Sequence, residues 1–256
     1  MSIAGPPLSG RLGATLGAGR GWRRRLLFHH VPLALGSAVG VVLLVSLSPF
    51  ADGGHGDVSL GLDLGNVDPA SRGFVSRLTR ATGYVALGLL ALTLLIGPAN
   101  LLLRRRNPLS SYLRRDIGIW TAVVSVVHVI VGFQTGHGGA GAFGFVGFFV
   151  AGGGPLLNRF GLGNWTGLAA LVIVAGLLAI SNNRSVRELK GMRWKSLQRL
   201  NYTLFALVIA HAVLYGALGR TSAFTPLFLF LVGAVLAGQG GGIWLWRRRH
   251  LQADAP

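Results

Sequence analysis

This 256-residue sequence predicts an all-α integral membrane bundle of six transmembrane helices with both termini in the cytoplasm. Composition is the first reason: 51% of residues are hydrophobic, only 12% are charged, and the mean hydropathy is +0.57. A soluble domain of this length is far more polar. The second reason is segmentation. A stretch of about 17–25 mainly apolar residues is long enough to cross a bilayer as a helix. Six such stretches occur, at residues 31–48, 81–103, 112–133, 162–181, 197–218 and 223–246.

The third reason is the placement of charge. The chain carries 24 Lys and Arg against 7 Asp and Glu, a formal charge of +17. Of those 24, 19 fall on one side of the six spans: before the first, between the second and third, between the fourth and fifth, and after the last. Lys and Arg in short loops mark the cytoplasmic side, so both termini are expected inside. The basic excess is thereby explained as topology and attraction to anionic headgroups. No nucleic-acid module with interleaved aromatics is visible, so no nucleic-acid partner is expected.

Taken in order, residues 1–30 read as a basic cytoplasmic tail, and its first 22, rich in Gly, Ala and Ser, have no hydrophobic period. "GWRRRLLFHHVPLALG" has the basic-then-apolar order of a signal sequence. Its arginines anchor a retained first span by the positive-inside rule. The loop over 51–80 contains "ADGGHGDVSLGLDLG", which resembles a calcium turn but lacks the regular acidic spacing and closing Glu. After the third span, glycine clusters flank a Phe-rich core over 143–149 that is too short to cross, so an outer-surface or re-entrant segment is expected. Gly83, Gly88, Gly167 and Gly176 suggest close helix packing. Trp244 and Trp246 before three arginines form an interfacial end, and residues 247–256 a cytoplasmic tail.

Chemistry is left to few residues. With no cysteine, disulfides, iron–sulfur clusters and thiolate ligands are excluded. Of seven histidines, His29 and His30 fall at the inner edge of the first span, His55 and His137 in outer segments, and His250 in the tail. Only His128 and His211 lie deep within spans. An ionisable side chain in lipid is costly and marks function by default.

The third and fifth spans cross in the same direction. His128 lies 12 residues after Asp116, and His211 lies 13 after Gln198. At about 1.5 Å rise per residue, both come out roughly 18–20 Å from the inner surface. Two imidazoles at one depth can each pack against a helix backbone, or together supply the two axial nitrogens of a haem. Zinc or copper would want a third or fourth ligand at that depth. A proton relay would want an Asp or Glu within the span, and none is expected there. Arg114 and Arg115, 14 and 13 residues before His128, fit either ordinary positive-inside charge or a site for a haem propionate, a quinone or a flavin phosphate.

Residues 81–219 resemble the ferric reductase-like transmembrane domain family. The likeness is carried by "LTLLIGPANLLLRRRNPLSSYLRRDIGIW" followed by "VVHVIVGF", and by "NNRSVRELKGMRWKSLQRLNYTLFALVIAHAVLYG". It is nearest to the family's bacterial branch, the haem-bearing membrane subunits of periplasmic methionine sulfoxide reductase systems. The resemblance implies that His128 and His211 are axial ligands of one b-type haem near the outer face. Gln198 stands where the family usually has the histidine of a second, inner haem, so a second haem ligated in the usual way is not implied, while Gln198 stays a candidate cofactor-binding residue and quinone or FMN a candidate further cofactor. Trp194, Lys195 and Arg199 match the family's cytoplasmic loop and suit either donor docking or interfacial anchoring.

The expected function is an inner-membrane b-type cytochrome passing electrons outward. Its donor would be quinol or a cytoplasmic flavin reductase. Its acceptor would be a periplasmic molybdopterin methionine sulfoxide reductase or ferric iron. The alternative is a haem-free membrane transport or assembly protein whose histidines line a path or pack.

Overall fold

A computed structural model describes residues 24–46, 72–103, 109–135, 144–189, 192–219 and 224–253. The expected tail 1–22, His55, His137, Arg104, Arg105, Arg106 and the greater part of the 51–80 loop lie outside the described residues. Within them run α1 (Val31–Ser46), α2 (Arg72–Leu102), α3 (Leu109–Phe133), α4 (Arg159–Ala179), the short α5 (Asn183–Glu188) and α6 (Met192–Gln198), α7 (Leu200–Leu214) and α8 (Thr225–Ala253). Six helices are long and apolar enough to cross a membrane, and the chain is an all-α, multi-pass membrane protein.

The spans begin and end where backbone bonding, not hydropathy alone, sets the limits. A π-turn over Leu26–His30 leads directly into α1, so the first crossing segment is Leu26–Ser46 and contains both His29 and His30. Pro32 has no N–H for the carbonyl four residues back and would clash with it in a regular α-turn. The wider π-turn accommodates that, with Val31 N–H bonded to Leu26 O. Helix α2 starts nine residues before the expected 81, because the turns that hold Arg77 and Arg80 are too polar to register as membrane core yet continue the helix.

Pro98 lies inside α2 and leaves the Leu94 carbonyl without its normal intrahelical donor. Gln239 of α8 fills the place, its Nε2 donating to Leu94 O at 2.7 Å. A half-buried amide in an apolar helix thus has a defined purpose. Beside it, a Cβ on Gly238 would meet Leu95 Cδ2 at 2.4 Å, so glycine lets the Leu95 side chain pack directly on the α8 backbone.

Helix α2 is the centre of the bundle, packed along α3 and α8 and touched by α1, while α4 pairs with α7. The main core joins Leu90 and Leu94 of α2, Val174 of α4, Leu204 and Phe205 of α7 and Val235 of α8. Many large apolar side chains remain outside it, among them Val172, Phe230 and Leu236. In a bilayer that outward apolar surface is the lipid-facing surface.

The Phe-rich stretch forms a 3₁₀ turn (Gly144–Phe148) and a two-residue antiparallel hairpin, β1 (Val150–Ala151) with β2 (Gly154–Pro155). The hairpin turns at Gly152 and Gly153, both at positive φ. Phe148 is buried, with its ring 5.2 Å from that of Phe133 at the end of α3 and 5.7 Å from Phe160 at the start of α4. Asn164 Nδ2 donates to Phe148 O at 2.8 Å and ties the segment to α4. The stretch is an aromatic cap over one end of the bundle.

Candidate functional site

Helix α3 carries His128 against α2, and helix α7 carries His211 against α4. The two imidazoles, 83 residues apart in sequence, meet with ring centroids 6.1 Å apart and planes at 85°.

Both rings are held in the same way. His128 Nδ1 lies 2.8 Å from the carbonyl oxygen of Thr79, and His211 Nδ1 lies 2.8 Å from that of Gly163. Four residues after each carbonyl comes a glycine, Gly83 in α2 and Gly167 in α4, pressed against the ring. A Cβ on Gly83 would lie 3.0 Å from His128 Cε1, and one on Gly167 would lie 2.8 Å from His211 Nδ1. In a helix the side chain of residue i+4 leans back over the carbonyl of residue i. Glycine at i+4 uncovers that carbonyl, so its second lone pair can take an imidazole. Of the four glycines marked in the sequence as general packing residues, Gly83 and Gly167 serve the histidines, while Gly88 and Gly176 face open space where a methyl group would point.

A carbonyl only accepts, so each Nδ1 must carry the proton. Thr82 Oγ1, 3.3 Å from His128 Nδ1, has its own hydrogen directed at the Leu78 and Thr79 carbonyls and reinforces that tautomer as an acceptor. Each Nε2 is therefore left with its lone pair free for a ligand, and neither has a hydrogen-bond partner among the described residues. Backbone capture of one imidazole nitrogen to orient the other is how metal-ligating histidines are commonly held.

The residue types fit a bis-imidazole haem. A haem iron held by both histidines, with a metal–nitrogen bond of about 2 Å on each side and about 1 Å from a ring nitrogen to its ring centre, would need the imidazole centroids about 6 Å apart. The observed separation is 6.1 Å. Beyond His211 lies Tyr215, ring centroids 4.9 Å apart, whose hydroxyl bonds Asn164 Oδ1. Arg159 donates from Nε to Leu214 O at 2.7 Å and from its terminal nitrogen to Val213 O at 3.0 Å, closing the last turn of α7.

Comparison with protein-family models, curated proteins and solved structures gave no match.

The other sequence-marked residues are not at the histidine pair. Arg115 stacks over the Tyr112 ring, 5.6 Å from its centroid, and lines a cleft near the start of α3. Arg114 is half-buried and outside that cleft. Gln198 accepts through Oε1 from Asn201 Nδ2 at 3.2 Å, a local contact at the start of α7. Trp194 Nε1 donates to Ile180 O at 3.2 Å and fastens α6 to the end of α4. The Lys195 side chain lies outside the described residues.

One group that hydropathy misplaces is Asp116. It lies inside the third span, Tyr112–Phe133, and is fully buried, so the expectation of no carboxylate within that span is corrected. Arg25 grips it through two nitrogens, with Nε 3.0 Å from Oδ2. His29 Nδ1 stands 2.7 Å from Oδ2, and His30 Nε2 stands 3.7 Å from Oδ1. Trp120 Nε1 donates to His30 Nδ1 at 3.3 Å. The π-turn brings these two consecutive histidines onto one carboxylate. Among the described residues no group of three or more His, Cys, Asp or Glu is arranged to hold a metal ion, and here a guanidinium occupies the carboxylate instead.

Proposed function

We propose that this chain is a membrane b-type cytochrome of the ferric reductase-like kind, with His128 and His211 as axial ligands of one haem. The observation that supports this best is the shared construction of the two histidines. Each has Nδ1 tied to a backbone carbonyl beside a glycine and Nε2 free, with rings 6.1 Å apart. Packing alone requires one satisfied nitrogen per imidazole. It does not require two such imidazoles, from separate helix pairs, to face one another.

Bound haem would supply one-electron chemistry, ferric to ferrous and back. The chain's part is to present two neutral imidazoles, to fix their tautomers through Thr79 and Gly163, and to surround them with apolar helices that exclude water. By the resemblance, the donor is quinol or a cytoplasmic flavin reductase, and the acceptor is an extracytoplasmic methionine sulfoxide reductase-type molybdopterin enzyme or ferric iron. The asymmetric distribution of Lys and Arg supports a cell-membrane protein with both termini cytoplasmic. Gln198, with its amide turned to Asn201, offers no imidazole for a second haem.

Reduced-minus-oxidised spectra of the purified chain test the reading. A low-spin b-type spectrum that collapses in both His128→Ala and His211→Ala is the expected result. A chain that purifies without haem yet carries a solute across liposome membranes would favour the transport reading instead.

A further inference from the structure

A second feature lies at the arginine-rich end, away from the histidine pair. A cleft of about 310 Å³ opens between the π-turn, the first turns of α3 and the end of α4, lined by Arg25, Leu26, His30, Arg115, Ile119, Ser181 and Asn182. Its volume is at the small end of ligand sites.

Its chemistry is divided. Two guanidinium groups, an imidazole, a hydroxyl and an amide form the polar part, and among the described residues no carboxylate lines it. Asp116 stands behind, held by Arg25 and His29, so the two arginines and one carboxylate of the region sum to a positive charge. Leu26 and Ile119 form the apolar part. They belong to the crossing segments Leu26–Ser46 and Tyr112–Phe133, and Ile119 lies about one helical turn farther into its segment than Arg115.

A positive pocket with apolar walls at Leu26 and Ile119, the latter on the membrane side of Arg115, matches a ligand with an anionic head and a hydrocarbon tail. We propose that this cleft binds the phosphate ester of an anionic phospholipid headgroup, with Arg115 and Arg25 toward the phosphate and the acyl chains leaving past Leu26 and Ile119. Basic pockets between transmembrane helices are suited to such headgroups. Planar guanidinium groups match the phosphate oxygens. Asp116 has a role in this arrangement: it fixes Arg25 at the cleft wall and joins the first helix to α3. The inference is independent of haem binding.

The test is native mass spectrometry of the full chain released from bilayers of equal phosphatidylglycerol and phosphatidylcholine. The wild-type chain is expected to retain phosphatidylglycerol about fivefold over phosphatidylcholine. Arg115→Gln should remove that preference, and so should Asn182→Asp, which puts a negative charge at the exposed rim. Arg114→Gln, one residue away and outside the cleft, should keep it, with circular dichroism confirming that each variant is folded. Equal retention of the two lipids by the wild type would overturn the proposal. So would an equal loss in Arg114→Gln, which would mark general surface charge, or displacement of the lipid by millimolar inorganic phosphate, which would mark a soluble phosphate as the ligand.

Discussion

The chain places two pairs of histidines in its membrane helices and treats them oppositely. His128 and His211 are each held by a neutral carbonyl at 2.8 Å, and among the described residues neither has a carboxylate as partner. His29 and His30 gather on the buried carboxylate of Asp116, together with Arg25. A carbonyl fixes a tautomer without calling for charge, so Nε2 keeps a lone pair to offer. A buried carboxylate gathers hydrogen-bond donors and a guanidinium around itself, and here that joins the first helix to α3. Under the proposed reading, the partner of a membrane histidine, more than its depth, separates a ligand from a tie.

Breaking each pair should therefore give different failures. The largest effect is expected from His128→Ala or His211→Ala, each losing at least about tenfold in haem retained per chain, since a neighbouring helix has no substitute nitrogen to offer. Absorbance of the purified variants measures this, and full retention in either would refute the pairing. Asp116→Asn should instead leave the haem spectrum in place and lower stability by about 2–3 kcal/mol. That is less than a wholly buried pair costs, because Arg25 remains partly exposed. Thermal unfolding in detergent reads the difference, and loss of haem in this variant would show that the two regions are not separable.

The glycines sharpen the same comparison. Gly167→Ala puts a methyl group 2.8 Å from His211 Nδ1 and should cut haem retention severalfold, less than the roughly 10–100-fold reached when a ligand's supporting partner is removed outright. Gly88→Ala, with open space around it, should be silent, and similar spectra for the two variants would leave the glycines with no part in haem binding. The smallest effect is expected from Thr82→Val. It removes the 3.3 Å contact to His128 Nδ1 together with the hydroxyl's local bonds to the Leu78 and Thr79 carbonyls, so a loss of about 0.5–1 kcal/mol in haem affinity should appear in a haem-transfer titration.

The six crossing segments were legible from hydropathy because a span must be long and apolar whatever it packs against. Their ends were less so. The first and second helices extend outward through His29, His30, Arg77 and Arg80, where polar side chains hide a backbone that is still helical. The juxtaposition of His128 with His211 was legible from depth alone, since both helices cross in the same sense. The glycine opposite each ring was not, because that depends on how α2 and α4 are rotated about their axes, which spacing does not reveal. Asp116 reads in the sequence as a boundary marker at the foot of the third span. Its partners are 87 and 91 residues away, and no local pattern joins them.

The bis-histidine site is tested most directly by haem quantification combined with electron paramagnetic resonance of the oxidised, purified chain. Imidazole planes held at 85° would leave the two d orbitals of a bound haem iron that they perturb nearly equal in energy. One haem per chain is expected, with a strongly anisotropic low-spin ferric signal that is lost when both histidines are replaced by alanine. A chain that binds no haem, or one whose low-spin signal persists in the His128→Ala, His211→Ala double variant, would contradict the bis-histidine assignment.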